Sequence, residues 1–333
     1  MGKILITGSA GFIGHHIAKR LLTEGCDVVG CDSFNDYYPA VVKRQREAEL
    51  SKHPRYKCHE IDLADNNAVQ ALFAQESIGM VIHLAAQAGV RYARINPGSY
   101  IQSNLVAFVN ICEAVRQAGI TRLFYASSSS VYAGVKEVPY QETQRTDCPV
   151  SLYAATKKSN ELMAHSYTHL YGFQTIGLRF FTVYGPCGRP DMAYWSFTER
   201  LMDGLPIPIF NFGNMRRDFT YIDDIVGGVV QLLVSEKLNP CEVLNIGNNQ
   251  SEELLDFVTV LGSALGVDPV CEMKPMMPED VEETYASIDR IQEVCGYKPQ
   301  TSIREGIPQF VDWYRSNPGL TQAVRKWRQL NPR

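Results

Sequence analysis

The 333-residue chain is 45% hydrophobic and 20% charged, enough apolar content for a core larger than one compact domain needs. Its formal charge of −4 excludes the polybasic field of a nucleic-acid or anionic-membrane binder, so no nucleic acid and no membrane is expected as partner, and anionic ligands must be held by local groups. Nine cysteines without a CxxC pair fit reduced thiols, the start MGKILITG carries no basic leader, and no apolar run approaches the ~20 residues that span a bilayer; a cytoplasmic protein is expected.

In chain order, short runs rich in Val, Ile and Leu (KILIT, DVVGCD, YKCHEIDL, GMVIHLAA, RLFYASSS, TIGLRFF) alternate with helix-period segments at Phe12 to Glu24, Asn66 to Gln75, Ser99 to Ala118 and Ala154 to Tyr171. That alternation predicts a Rossmann-like, doubly wound parallel α/β sheet with helices on both faces. Pro and Gly become dense from Tyr184 to Gly213, which reads as irregular excursions beyond the sheet. The strand EVLNIG, Glu242 to Gly247, then rejoins it. SEELLDFVTVLGSAL and IREGIPQFVDWYRS read as helices of a smaller C-terminal substrate-binding lobe. The expected division is a dinucleotide-binding domain at 1–180, rejoined by about 220–250, and a lobe from 181–219 and 251–333. A ligand cleft belongs between them, beyond the carboxyl ends of the strands.

The first strand leads into TGSAGFIG. Gly8, Gly11 and Gly14 let backbone approach a pyrophosphate, and the helix opening with Phe12 and Ile13 aims unpaired N–H groups at it. The spacing is GxxGxxG, and by itself it fits an ordinary strand-to-helix turn. The next strand ends in Asp32, whose carboxylate can accept both ribose hydroxyls and repel a 2′-phosphate. With no Arg or Lys adjoining it in sequence, NAD is favoured over NADP. Asp62 and Leu63 close the third strand and face either the adenine or only their own turn.

Tyr153 and Lys157, in SLYAATKKSNELM, stand four apart and share one helical face. A nearby ammonium lowers a phenol toward neutrality and makes Tyr153 a usable general base; the plain alternative is a surface Tyr beside a solvated Lys. Upstream, a strand ends in four serines, among which Ser128 is placed to hydrogen-bond a reacting hydroxyl. Downstream of an NAD site, this set favours alcohol oxidation. His165 and His169 are spaced like a metal pair, but HSYTH lacks the central Glu of HExxH and a third ligand, so no metal is expected.

TGSAGFIG, HLAAQAGVR, SSSSVY, YAATK and RDFTYIDDI, in that order and across essentially the whole chain, resemble the extended short-chain dehydrogenase/reductase family acting on nucleotide sugars. The resemblance implies Ser128, Tyr153 and Lys157 as catalytic triad, with Lys157 also reaching the nicotinamide ribose. It implies Arg217 as the holder of the nucleotide diphosphate, although Arg217 beside Asp218 also fits a simple ion pair. It further implies a homodimer through the helices near 99–118 and 154–171, whose apolar faces would otherwise be plain core.

Such enzymes oxidise carbon 4 of the sugar and then return the hydride, eliminate water or decarboxylate. Dehydratases of the family carry Asp-Glu, and related uronate decarboxylases a Glu, where this chain has Ser129 and Ser130. Hydroxyls do not replace those acids and bases near neutral pH. Hydride return, hence 4-epimerisation, is the expected outcome. FNDYYPAVVKRQRE, LRFFTVYGPCGRPDMA and GNMRRDFTYIDDIV are most similar to UDP-glucuronate 4-epimerases. In that group Thr182 and Arg189 match residues near the sugar, Arg189 fitting equally a loop that closes over the nucleotide. Ser127, Ser128 and Thr182 form an uncharged donor set for the carboxylate at carbon 6. Two positions depart from the pattern: Cys187 stands where the group usually has Trp, and Glu279 replaces a glycine. A 4-epimerase of UDP-glucose or its N-acetyl relatives, and a non-catalytic NAD-sensing protein, remain the alternatives.

Overall fold

The computed structural model describes residues 2–277 and 280–331, so Glu279 lies outside the described residues. Six strands, β1 (Lys3–Thr7), β2 (Val28–Asp32), β3 (Tyr56–Glu60), β4 (Ile78–His83), β5 (Arg122–Ser128) and β6 (Gln174–Phe180), form a parallel sheet with Cys241–Ile246 as a seventh strand on the edge. The order is β3-β2-β1-β4-β5-β6 and then the edge strand. The sheet is buried on both faces, as the unbroken apolar runs predict. Leu5, Val29, Val81 and Leu123 pack into one layer, and Ile6, Val28, Ile82 and Phe124 into the other, following the two-residue period of a strand. Strand order reverses between β1 and β4, which opens a crevice beyond their carboxyl ends, where such sheets bind ligands.

The helices that flank the sheet lie close to their expected positions. α1 (Phe12–Thr23) follows the glycine turn, and α3 (Asn66–Gln75) is capped by Asp65, which accepts from the N–H groups of Asn67 and Ala68. The third expected helix is continuous from 97 to 117 but contains a π segment at Ile101–Val106. The fourth spans Leu152–Tyr171, two residues longer at its start because Ser151 caps the N–H of Ala154; it ends at Gly172, whose φ is +77°.

One helix over the sheet was missed. α2 (Ala40–Leu50) reads as polar because five of its eleven residues are charged, yet it buries Lys43 and Arg46 along with Val42 and Leu50. Long cationic stems cover apolar surface while their heads find oxygen partners. Ala193–Met202 is also a helix, inside the segment read as irregular, and Ile222–Leu233 and Pro318–Leu330 add two more. Beyond the sheet, Ile303–Ser316 packs on Leu254–Leu265. The residues just before the latter, Glu252–Glu253, pair as a strand with Arg216–Arg217 instead of extending the helix. A short parallel pair, Thr182–Tyr184 with Phe219–Tyr221, carries the chain from β6 toward this lobe.

Candidate active site

The glycine turn is built for a closely approaching ligand. Gly8 has φ +69°, and a Cβ there would lie 2.9 Å from Ala85 Cα. A Cβ on Gly14 would fall 2.2 Å from the carbonyl oxygen of Gly8. The turn therefore closes only with glycine at these positions. Gly11 is the N-cap of α1 with no capping side chain, and the first turn carries no acidic residue, so the helix presents free N–H groups and a positive dipole end. A dinucleotide pyrophosphate fits this cradle.

Gly8, Gly11, Phe12, Ile13 and Gly14 all line one cavity of about 760 Å³, together with Asp32, Asp62 and Leu63. Asp32 ends β2 and is 9% exposed; its Oδ1 accepts the N–H of Phe34 at 2.8 Å. Asp62 serves its own turn as well, accepting from the N–H of Ala64 at 2.9 Å. No Arg or Lys adjoins Asp32 in sequence, but the fold brings one near in space. α2 brings Lys43 Nζ to 3.9 Å from Asp32 Oδ1, where Asn35 holds it through Oδ1 at 2.6 Å and its carbonyl at 3.1 Å. Ten residues of chain, including a turn, lie between the two in sequence, so adjacency is not legible there.

The same cavity reaches Ser128, Tyr153, Lys157, Thr182, Arg189 and Arg217. Ser128 ends β5 and caps the short turn after it, its Oγ accepting from the N–H of Ser130 at 3.2 Å. Tyr153 stands at the start of its helix, its ring 6.2 Å edge-on from that of Tyr100. The expected lowering of its phenol by Lys157 is not what the protein's own groups produce. Burial raises the phenol above its ordinary value, and the Ser128 hydroxyl and the Arg189 charge pull it back only in part. Lys157 instead donates to the carbonyl of Ala126 at 2.8 Å, and burial lowers its ammonium to about 8.

Ser127 also lines the cavity, but its hydroxyl proton is used elsewhere. Its hydroxyl donates to Glu161 Oε1 at 2.6 Å, inside a buried network in which Arg179 grips Glu161 through Nε and Nη2, each at 2.8 Å, and donates from Nη1 to Tyr132 Oη at 2.6 Å. One hydroxyl has one proton, and this one is committed to a carboxylate. Strand parity was the available signal: Leu123, Tyr125 and Ser127 share one face of β5, while Ser128 faces the other way.

Arg217 is not the partner of Asp218. Asp218 is fully buried and accepts from the N–H groups of Asn248, Asn249 and Ala286 and from Thr220 Oγ1, while burial lifts its carboxyl to about 6. Arg217 donates from Nη1 to the carbonyls of Arg216 and Glu282 and lines the cavity, its charge opposed by burial. Arg189 forms a two-point ion pair with Asp191, to which Tyr37 also donates at 3.1 Å. Thr182 lies at the head of its short strand, its N–H donating to the carbonyl of Asp218 at 3.2 Å. His165 and His169 lie exposed on the Leu152–Tyr171 helix, and among the described residues neither belongs to a three-ligand cluster.

Residues 4–247 match the NAD dependent epimerase/dehydratase family. A probable UDP-glucuronate 4-epimerase of Rhizobium meliloti (strain 1021) is 43% identical over 332 residues, covering 95% of this chain and 97% of its own. The chain belongs to the NAD dependent epimerase/dehydratase family. UDP-glucuronate 4-epimerase 2 of Arabidopsis thaliana is 45% identical across 94% of this chain and 75% of its own length. Among solved structures, the UDP-glucuronic acid 4-epimerase of Bacillus cereus in complex with UDP-glucuronic acid and NAD superposes with a TM-score of 0.89 at 32% identity, covering 94% of this chain and 99% of that one.

For a member of this epimerase/dehydratase family, the cavity also contains groups that the sequence reading passed over. Leu84, Ala85, Ala86 and Gln87, just after β4, line it at the reversal of strand order. HLAAQAGVR follows a buried strand and holds a glycine, so its position was a usable signal. Arg91 pairs with Asp280 at 3.2 Å and lies 4.8 Å over the ring of Phe210; only the folded chain brings those three together.

Proposed function

We propose that this chain interconverts UDP-glucuronate and UDP-galacturonate by NAD-dependent 4-epimerisation through a 4-keto sugar. The observation that carries the reading is the inventory of acids in the cavity. Among the described residues, its carboxylates are Asp32 at the end of β2, Asp62 in the turn after β3, Asp191 held by Arg189, and Asp280 held by Arg91. Among the described residues that line the cavity, those next to Ser128 in sequence are the hydroxyls Ser127, Ser129 and Ser130, with no carboxylate among them. No free acid or base is left there for elimination or loss of carbon dioxide, so return of hydride is the chemistry the side chains support.

The dinucleotide is held by the glycine turn and the first turn of α1 at its pyrophosphate, by Asp32 at the ribose, and by Asp62 and Leu63 beside the adenine. Bound NAD⁺ takes the hydride from carbon 4 and gives it back. Tyr153 removes the proton of the 4-hydroxyl and later restores it, and Ser128 orients that oxygen. Lys157, on the same helical face, reaches the nicotinamide ribose, while the Arg189 charge favours the phenolate. Arg217 anchors the diphosphate while the keto sugar turns to present its other face. Thr182, Ser128 and Arg189 bear on the sugar and its carboxylate, with Ser127 acting only through Glu161.

The chain divides functionally into a dinucleotide domain, 1–180 rejoined by 220–250, and a nucleotide-sugar lobe made of the rest. A cytoplasmic site of action is supported by the nine free thiols, which suit a reducing compartment. A homodimer is supported by Ile101, Leu162, Leu170 and Tyr171, large apolar residues exposed at 39–64% on the two neighbouring helical segments near 99–118 and 154–171. Sedimentation analysis is expected to give twice the chain mass, and a monomer at micromolar concentration removes that part. The activity is tested by proton NMR of UDP-glucuronate with purified protein and no added cofactor. UDP-galacturonate should appear; a UDP-pentose, or turnover of UDP-glucose alone, rejects the reading.

A further inference from the structure

Just past the glycine turn, at α1, three chemically distinct side chains converge. His15 on α1, Glu49 at the end of α2 and Cys187 in the loop after Thr182–Tyr184 bring one imidazole nitrogen, one carboxylate oxygen and one sulfur within 4.8 Å of one another. His15 is fully buried; its Nδ1 has no hydrogen-bond partner, and its Nε2 meets only the Glu49 carboxylate in a long contact. A buried imidazole satisfied this poorly is costly, and the convergence of three ligating side chains on it points to an ion. Its Nε2 points at Glu49, 3.4 Å from Oε2, while the other carboxylate oxygen is taken by Lys19 at 2.6 Å.

We propose that His15, Glu49 and Cys187 form a binding site for a divalent transition-metal ion of the zinc class, which ties the loop carrying Arg189 to α1 and α2. The donor set of one nitrogen, one oxygen and one sulfur suits zinc, and hard cations such as magnesium avoid thiolate. Metal–ligand bonds of about 2.0–2.3 Å set tetrahedral ligand separations near 3.5 Å. The His15–Glu49 pair already meets that spacing, and Cys187 needs to move inward by little more than about 1 Å. Cys187 has φ +55° and sits between Pro186 and Gly188 in a loop that Arg46 holds by the carbonyls of Cys187 and Gly188, at 2.7 and 2.8 Å. The thiol gives its proton to solvent on binding. Thiolate and carboxylate together then balance the charge of the ion, with Lys19 and Arg46 as the nearby cations.

Three protein ligands and a solvent molecule would complete a tetrahedral site. His16 is committed elsewhere, its Nε2 lying 3.0 Å from the carbonyl oxygen of Pro186. The side chain of Glu49 is 42% exposed and provides an entry path for the ion. Three ligands separated by up to 172 residues then join the dinucleotide-binding helix, its neighbour and the Arg189 loop.

The test is a cobalt(II) titration of metal-stripped protein with its dinucleotide retained. One equivalent is expected to produce a thiolate-to-cobalt charge-transfer band with tetrahedral visible bands, and zinc should displace both. Cys187→Ala is expected to abolish the charge-transfer band, and Glu49→Gln to weaken zinc binding at least about tenfold with the band retained. Cys148→Ala, which removes an exposed thiol, should change neither. Circular dichroism confirms that each variant is folded. Absence of the band in the unaltered protein, its persistence in Cys187→Ala, or its loss in Cys148→Ala overturns the site. None of these readouts depends on which sugar is the substrate.

Discussion

Replacing Glu161 by Gln removes the carboxylate from the buried network behind β5. In the structure its side chain and that of Arg179 are 5% and 3% exposed, and it accepts from Ser127 and twice from Arg179. The amide leaves the guanidinium charge uncompensated and turns one acceptor into a donor that faces other donors. Breaking one side of a buried pair costs about 3–5 kcal/mol. With an unfolding entropy of roughly 2.1 cal/mol/K per residue, near 0.7 kcal/mol/K for this chain, the melting temperature falls by about 4–7 °C. Burial raises the Glu161 carboxyl, but Arg179 more than reverses this, so its pKa lies below the usual value. A depressed carboxyl stabilises above its unfolded pKa and loses that contribution as pH falls through its folded one; the gap between the two proteins should therefore narrow in acid. Calorimetry of wild type, Glu161→Gln, Arg179→Gln and the double variant forms the assay. The double variant should recover part of the loss, as coupled partners do. A drop under about 1 °C for Glu161→Gln, or additive losses in the double variant, refutes the account of this network.

Other outcomes follow from the same geometry. Tyr153→Phe should reduce kcat by about 10²–10⁴ while NAD binding, followed by fluorescence titration, persists. Ser128→Ala should cost about 10² in kcat with little change in KM, and a larger change in KM would make it a binding group. Ser127→Ala should leave KM unchanged while costing about 1–3 kcal/mol of stability through the unpaired Glu161 lone pair; a raised KM would return Ser127 to the sugar. Gly14→Ala sets a Cβ 2.2 Å from the Gly8 carbonyl oxygen, so equilibrium dialysis should find dinucleotide binding lost; retained binding would show that the turn yields.

Local signals carried far where they coincided with the period of an element. Unbroken apolar runs marked strands buried on both faces, and the Ser128, Tyr153 and Lys157 spacing already implied one strand end and one helical face. α2 escaped because its buried face is built partly from the stems of Lys43 and Arg46, which no apolar pattern reports. That one omission concealed two features of the site, the cation beside Asp32 and the Glu49 corner of the three-ligand cluster. Ser127 lines the cavity with Ser128, but strand parity sets the two apart and hydrogen-bond donation to Glu161 engages only Ser127. Arg91, Asp280 and Phe210 meet only through tertiary contact, so sequence spacing had nothing to say about them.

The central claim is that one hydride leaves carbon 4 and returns to the same carbon. UDP-glucuronate deuterated at carbon 4, incubated in ordinary water with the purified protein and followed by NMR, tests it most directly. The account predicts UDP-galacturonate with deuterium fully retained at carbon 4. Exchange of that deuterium for solvent hydrogen, or formation of a UDP-pentose, would contradict it.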